Sequence, residues 1–226
     1  MIYRIDQILE YCKGKKVLHL GYVQHSPKYK KQIEDGTWLH AHISKVAKEA
    51  VGLDILEDAV DDLQRNYGYK GYVGNVERLQ EVDLKETFDV IVAGELIEHL
   101  ENPGLFLEGV KNFLREDSIL IITTPNAFGE TYQKMYNRKP EAEWVNEEHV
   151  TWYSSYTLQR ILERCGYEES LYGYYFGYET LKSDVNSKVS VLKYLRLMKR
   201  KWSYFRLKKN RQIGLLFVTK LASLAK

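Results

Sequence analysis

The 226-residue sequence has few of the residues that cross-link or interrupt small domains. Two cysteines, Cys12 and Cys165, are too few for a disulfide framework or a cysteine-rich zinc site, which favours a reducing compartment. The four prolines are dispersed, so no stretch has the composition of a Pro-rich linker. Charges interrupt the N-terminal segment every few positions, which argues against a signal peptide or membrane span there. We therefore expect a cytoplasmic chain that forms one domain over residues 1–226.

Acidic residues are missing from the end of the sequence. Residues 185–226 contain 12 Lys and Arg and no Asp or Glu, whereas the first 184 residues have a net charge of −10. Five apolar residues recur there at helical spacing: Val191, Leu195, Met198, Trp202 and Phe205. We predict a basic amphipathic helical insertion at about 185–211, before the final strand. It would pack on the domain or on a second copy, contact the surface of an anionic membrane, or bind the phosphates of an acceptor.

Short apolar segments alternate with helical patterns along most of the sequence. The segments predicted as strands are 15–21, 51–55, 71–74, 88–93, 118–123, 171–178 and 213–219. The segments predicted as helices are 37–48, 56–66, 103–114 and 155–165. This alternation implies right-handed crossovers and a Rossmann-like, doubly wound α/β sheet with helices on both faces. Near-continuous apolar strands, such as the fourth, are expected when both faces of a sheet are covered.

Ligands of such sheets bind beyond the carboxyl ends of the strands, so the residues after each strand are the candidates for a site. Gly21 follows the first strand, Asp54 ends the second and Asn75 follows the third. Asp54 is placed to accept hydrogen bonds from ribose hydroxyls, and Asn75 offers an amide to the edge of a purine. Each residue alone has an ordinary interpretation as a turn glycine or a helix cap. Their order after three successive strands favours a nucleoside site.

The sequence lacks the glycine-rich loop of a dinucleotide site. Such a site needs G-x-G-x-x-G to bring a pyrophosphate onto a helix, but here Gly21 is followed by the letters YVQH. A nucleoside without phosphates, such as S-adenosylmethionine (SAM), therefore fits better than NAD. The following segment, up to residue 36, is longer than a minimal turn. We expect it to form either a lid over the ligand or an exposed loop.

Several segments in order resemble the class I SAM-dependent methyltransferases: VLHLG, VGLDI, GNVE, the stretch 88–126 and EHVTWYSSYTLQRILERCGYE. The resemblance covers roughly residues 15–168 and points to the subgroup of ubiquinone-biosynthesis O-methyltransferases and sugar-tailoring enzymes. It implies a seven-stranded sheet whose last two strands pair antiparallel, and SAM as the methyl donor. His19 stands where this family usually has an acidic residue, and the loop has fewer glycines than usual.

The resemblance also implies a set of cofactor-binding residues. Gly21 would lie under the methionine end of SAM and Asp54 would hold the ribose. The remaining expected contacts are Ile55, Asn75, Val76 and Glu95, with Asn75 and Val76 flanking the adenine.

A carboxylate–histidine group follows the fourth strand. Glu95, Glu98 and His99 are spaced at i, i+3 and i+4, so a helical turn would project all three from one face. Together with His149 they could bind Mg²⁺, Mn²⁺ or Zn²⁺, which would lower the pKa of a substrate hydroxyl. The pattern resembles the metal-dependent ubiquinone-type enzymes and the enzymes that 2′-O-methylate small RNAs. Without a metal, His149 or His99 is a candidate general base, or Glu98 and His99 only cap the local backbone.

Aromatic residues are concentrated after the fifth strand: Phe128, Tyr132, Tyr136, Trp144, Trp152, Tyr153 and Tyr156. Some of them would wall an acceptor pocket, although flat rings suit sugars, phenols and bases alike. We predict transfer of a methyl group from SAM to a hydroxyl of a small-molecule or saccharide acceptor. The alternatives are a metal-dependent RNA 2′-O-methyltransferase and a non-catalytic SAM-fold interaction module. The residues leave open the choice between O- and N-methylation and the oligomeric state.

Overall fold

One seven-stranded sheet organises the protein. The computed structural model describes residues 3–24, 27–138, 146–168, 171–175 and 214–222. The strands are β1 Lys16–Leu20, β2 Glu49–Asp54, β3 Gly71–Val73, β4 Phe88–Gly94, β5 Leu114–Pro125, β6 Leu171–Tyr175 and β7 Gly214–Thr219. Their order across the sheet is β3-β2-β1-β4-β5-β7-β6. This order reverses beside β1, which is the position where doubly wound sheets bind their ligands.

The first five strands are parallel, and β7 runs antiparallel to both β5 and β6. The predicted α/β fold class and the antiparallel pairing of the last two strands are therefore confirmed. β5 begins earlier than predicted, because its first residue Leu114 pairs with Phe88 before the register shifts to Val90 opposite Ile119. Ser118 bridges this irregularity, since its hydroxyl donates to the Phe88 carbonyl.

Seven α-helices lie among the described residues: α1 Arg4–Cys12, α2 Lys28–Glu34, α3 Leu39–Val46, α4 Glu57–Tyr67, α5 Pro103–Val110, α6 Glu130–Arg138 and α7 Ser155–Arg164. The helices α3, α4, α5 and α7 were predicted, whereas α1, α2 and α6 were not. α7 begins as its sequence suggests, with Ser154 and Thr157 in a reciprocal capping box. α1 was missed because its charges obscure Ile5, Ile8 and Cys12, which are buried on one side.

Side chains of alternate residues in the central strands are buried on opposite faces of the sheet. On β4, Ile91 and Ala93 join a core with α5 and α7, and Val90 and Val92 join a second core with α1 and α3. A third cluster connects the loop after β1 to α2 and α4. Because both faces are covered, the strands read as near-continuous apolar runs, as predicted.

The basic insertion predicted at about 185–211 lies outside the described residues. Among the described residues, Tyr175 closes β6 and pairs with Gly214, which opens β7. Both residues stand at the carboxyl edge of the parallel strands. Within the described ranges, the helices are too short or too polar to cross a membrane.

Candidate functional site

The turn after β1 requires its glycine. Gly21 has a φ of +66°, and a Cβ there would lie 3.0 Å from the Leu96 side chain. The Gly21 N–H donates to the Leu53 carbonyl at 2.8 Å, and the Val23 N–H donates to Asp54 Oδ2 at 2.9 Å. The ends of β1 and β2, which carry the two residues predicted for the nucleoside, are therefore joined directly.

Tyr22 belongs to the glycine-poor loop after β1, and its side chain does not line the cavity. The side chain is fully buried and lies over Gly52 and Gly71, where an added Cβ would be 2.4 Å from the ring and 2.3 Å from the hydroxyl oxygen, respectively. The Trp38 indole N–H donates to the Tyr22 carbonyl at 2.8 Å. Two strand glycines thus make room for the tyrosine side chain, which stays out of the cavity.

His19, at the position of the family's usual acidic residue, is buried and paired with another histidine. Its Nδ1 lies 3.3 Å from Nδ1 of His40 on α3, and the two rings stack with centroids 5.4 Å apart. Burial lowers the pKa of both residues, that of His40 to about 3. Neutral imidazoles can make this hydrogen bond because one ring donates and the other accepts. The stacked His19 and His40 rings support the loop that follows β1.

Part of the segment predicted as a lid or an exposed loop forms helix α2, which packs on α4. Tyr29 of α2 is only 3% exposed and donates to Asp62 on α4 at 2.6 Å. Lys30 lies 3.3 Å from the same carboxylate. These contacts fix α2 against α4. His25, which was part of the predicted lid, lies outside the described residues.

A cavity of about 680 Å³ opens at the carboxyl edge of the sheet, within the usual size range of small-ligand sites. It brings together most of the predicted residues: Gly21, Asp54, Ile55, Glu95, Glu98, His99 and His149. It also contains Gln24 and Lys28 of the segment predicted as a lid or loop, Asn146 and Glu148 of the loop before the last helix, and Arg4, which sequence reasoning missed. Arg4 was missed because its burial depends on the unpredicted helix α1.

The nucleoside end of the cavity is built around Asp54. This carboxylate is 6% exposed, and burial raises its pKa although backbone N–H groups, including that of Leu56, donate to it. The following Ile55 is 63% exposed and offers apolar surface at the rim. Asn75 accepts a hydrogen bond from the Glu77 N–H as a helix cap, and neither it nor Val76 lines the cavity. Their role at the adenine stays a prediction.

Glu95 occupies a strained position between the two ends of the cavity. It is one of two non-glycine residues with positive φ in the described ranges, at +55°. Its N–H donates to the Thr123 carbonyl at 2.9 Å, and its carboxylate accepts from Tyr175 at 2.8 Å. Arg4 lies 3.9 Å from the same carboxylate. The expectation that Glu95 shares a helical face with Glu98 and His99 is wrong, because the left-handed backbone turns it toward Arg4 and Tyr175.

Glu98, His99 and His149 form the other end of the cavity, with possible ligand atoms within 4.8 Å of one another. Glu98 is 2% exposed and accepts a hydrogen bond from Thr124 at 3.0 Å. Burial, and then the nearby Glu95 charge, raise the pKa of Glu98 to about 8. The rings of His99 and His149 are perpendicular, with centroids 4.7 Å apart.

The hydrogen bond of His99 indicates its tautomer. Nδ1 lies 3.1 Å from the carbonyl oxygen of Glu148, and a carbonyl can only accept. Nδ1 therefore carries the proton, and in the neutral ring the lone pair is on Nε2. Such an imidazole can accept a proton or bind a metal.

The predicted aromatic residues divide into three groups. Tyr132 lines the cavity and its ring meets that of Trp152, which also contacts His149. Tyr153 belongs to the core. Phe128, Tyr136 and Tyr156 are more than half exposed. Trp144 lies outside the described residues.

Comparison with known proteins gives one family and a consistent fold. The model of the family described as "Methyltransferase domain" matches residues 34–169, which is more than half of the chain. A SAM-dependent methyltransferase from Archaeoglobus fulgidus aligns with a TM-score of 0.57 at 18% identity, covering 96% of this chain and 91% of that one.

Two curated relatives, both named ubiquinone biosynthesis O-methyltransferase, match shorter parts. The protein of Glaesserella parasuis serovar 5 is 40% identical over 47 residues, 21% of this chain and 20% of the relative. That of Bradyrhizobium diazoefficiens is 23% identical over 86 residues, 37% of this chain and 34% of the relative. The matches thus span between a fifth and about a third of these relatives. From the family match over residues 34–169, the chain belongs to the family described as "Methyltransferase domain", and its fold is that of the SAM-dependent methyltransferase with which it aligns.

Proposed function

We propose that this methyltransferase transfers the methyl group of SAM to a hydroxyl of a small-molecule or saccharide acceptor. The observation that carries the proposal is the shared cavity, which holds the Asp54 carboxylate at one end and Glu98, His99 and His149 at the other. The methyl donor, held through its nucleoside, and a proton acceptor would then face the same cavity.

The residues at the donor end fit SAM. The carboxylate of Asp54 can accept hydrogen bonds from two ribose hydroxyls, and Gly21 lines the cavity without a side chain that would occupy it. Glu95 and Arg4 present one negative and one positive group to the cavity, which matches the ammonium and carboxylate of an amino acid. When bound, SAM supplies a methyl group on an electrophilic sulfonium. The protein has to align the acceptor and exclude water.

The other end of the cavity suits a hydroxyl acceptor. A hydroxyl must lose its proton to become a strong nucleophile, so its methylation benefits from a base. The tautomer of His99 leaves Nε2 able to accept that proton, and His149 is the second candidate base. Tyr132 adds an aromatic wall that can pack on a sugar or a phenol.

A divalent cation is a second proposal at the same residues. Glu98, His99 and His149 would hold it, since one carboxylate and two imidazoles form a reasonable donor set. Glu95, the fourth predicted ligand, is instead hydrogen-bonded to Tyr175. The cation would lower the pKa of an acceptor hydroxyl.

Calorimetric titration with S-adenosylhomocysteine (SAH) tests the donor site. We expect micromolar binding by the wild type and loss of at least about tenfold in affinity in Asp54→Ala, since a charged hydrogen-bonding group is removed. Asp61→Ala, on the partly exposed side of α4, is the matched control and should bind as the wild type does. Folded wild-type protein that fails to bind SAH would refute the proposal and favour a non-catalytic module.

Transfer of labelled methyl groups from SAM tests the acceptor class. Pools of saccharides, phenols, amines and short RNAs should be compared with and without Mn²⁺. We expect labelling of hydroxyl compounds and a loss of about a hundredfold or more in rate in either His99→Gln or His149→Gln, as for other general bases. Labelling of amines alone would contradict O-methylation, and manganese-dependent labelling of RNA would favour the RNA alternative.

A further inference from the structure

Tyr175 connects the far edge of the sheet to the cofactor end of the cavity. It is the last residue of β6, is fully buried, and donates its hydroxyl hydrogen bond to Glu95 Oε1 at 2.8 Å. Two strands, β7 and β5, separate β6 from β4, which Glu95 follows. The ring therefore reaches across the sheet to contact a residue that lines the cavity.

The neighbouring strand is shaped to let this ring pass. Gly214 is paired with Tyr175, and a Cβ at Gly214 would lie 2.0 Å from the tyrosine ring. Gly214 also pairs with Pro125 on β5, and Pro125 lines the cavity. A side chain at position 214 would displace the ring, so a glycine is required for the contact with Glu95.

Arg4 approaches Glu95 from the same face of the sheet. Arg4 is 6% exposed, its guanidinium donates to the Thr123 hydroxyl at 3.3 Å, and it lies 3.9 Å from Glu95. Gly94 leaves room for it, because a Cβ there would be 3.2 Å from the guanidinium. Tyr175 and Arg4 thus hold a carboxylate whose backbone, at a φ of +55°, is itself unfavourable. Such a conformation persists only when several surrounding contacts fix it.

We propose that Tyr175 is a positioning residue for the amino-acid head of the methyl donor. Its hydroxyl holds the Glu95 carboxylate beside Arg4, so that the two charges face the ammonium and the carboxylate of the bound ligand. This inference rests on the proposed function, because it requires a SAM-type ligand in the cavity. It makes a strand-edge tyrosine, which itself does not line the cavity, a determinant of cofactor affinity.

A pair of ligands separates this role from a general effect on packing. SAH has the amino-acid head, whereas 5′-methylthioadenosine keeps the nucleoside and the sulfur without it. In Tyr175→Phe, which removes only the hydroxyl, we expect SAH to bind about tenfold more weakly, or about 1.4 kcal/mol. 5′-Methylthioadenosine should bind within about twofold of its wild-type affinity, because Asp54 is unaffected. Its unchanged binding also shows that the variant is folded.

Tyr174→Phe is the matched control on the same strand. The Tyr174 hydroxyl lies 2.9 Å from the Ser155 hydroxyl, and its side chain packs against a different core cluster from that of Tyr175. Loss of this hydroxyl should leave the affinities for both ligands unchanged. Glu95→Gln should weaken SAH selectively as Tyr175→Phe does, and adding Tyr175→Phe to Glu95→Gln should cost less than about a further twofold, since both act through one group.

The inference is wrong if Tyr175→Phe binds SAH as the wild type does, or if it weakens the two ligands equally. It is also wrong if the wild type binds the two ligands with the same affinity, although the proposed function would then stand. A wild type that binds neither ligand would overturn the proposed function together with this inference.

Discussion

The carboxylates at the two edges of the sheet lie in opposite environments. At the amino edge, Lys16 and Lys70 each pair with both Glu49 and Glu86, and these side chains are partly exposed. Hydrogen bonds from the lysines lower the pKa of Glu86. At the carboxyl edge, burial raises the pKa of both Asp54 and Glu98.

The difference shows what each edge can do. At the amino edge, partly exposed carboxylates form ion pairs with lysines across the strand ends. Each pair contributes little to stability, because water screens it. Carboxylates buried at the switch point are costly unless a ligand or a proton compensates them. The buried carboxylates of the cavity therefore lower the stability of the ligand-free protein but are placed to bind a ligand. Substitutions at the two edges should have different consequences.

The largest effect is expected at Tyr22, whose buried ring supports the loop at the carboxyl edge. Tyr22→Gly adds a glycine to this glycine-poor loop but leaves a cavity over Gly52 and Gly71. We expect a loss of roughly 4–5 kcal/mol in the free energy of unfolding, as for other large aromatic deletions. Urea denaturation measures it. Tyr67→Ala, at a 39% exposed tyrosine, is the control and should cost far less. An equal loss in both variants would contradict the supporting role of Tyr22.

Acid should destabilise the protein through the buried His19–His40 pair. Between the ordinary histidine pKa of 6.5 and the folded value of about 3 for His40, the unfolded chain binds a proton that the folded chain excludes. The free energy of unfolding should therefore fall by roughly 3 kcal/mol as the pH drops through this window. His40→Gln should flatten the dependence, whereas His42→Gln, at a half-buried histidine of the same helix, should change it less. Parallel curves for wild type and His40→Gln would exclude this explanation.

Glu98→Gln should raise stability while it removes a group of the site. The folded pKa of about 8 lies above the ordinary 4.5, so the folded chain retains a proton that the unfolded chain has released in this window. Wild-type stability should thus fall as the pH rises from 4.5 to 8. Glutamine removes this loss, and we expect the variant to gain roughly 2–3 kcal/mol at pH 8 in chelator-treated buffer. Thermal unfolding across this range checks the gain, and a variant less stable than wild type at pH 8 would contradict it.

Glu86→Gln, at the amino edge, should have the opposite sign and the smallest effect. Its pKa is lowered by Lys16 and Lys70, so the charge stabilises the fold above the ordinary value of 4.5. Because these groups are partly exposed and screened, we expect a loss of less than about 1 kcal/mol at pH 7 and unchanged SAH affinity. A stabilised Glu86→Gln variant would remove the contrast between the two edges.

Predictions from the sequence succeeded where a pattern is repeated locally. The order of strands and helices could be predicted because the spacing of apolar residues differs between strands and helices along the chain. Gly21, Asp54 and the Glu98–His99 pair line one cavity as the sequence predicted, because residues that follow parallel strands meet at one edge of the sheet, and their binding role stays a prediction. The charged helices α1 and α2 were missed, since their buried faces are defined by what packs on them.

The sequence by itself determined the class of fold, the family and the edge of the sheet at which the cavity opens, because these follow from periodicity and from the residues that end the strands. Only the tertiary structure decided how the site is held. Tyr22 is placed under the loop by two distant glycines, His19 is paired with His40, and Glu95 is turned toward Arg4 and Tyr175. Those contacts join residues far apart in the chain, and their spacing in the sequence carries no sign of them.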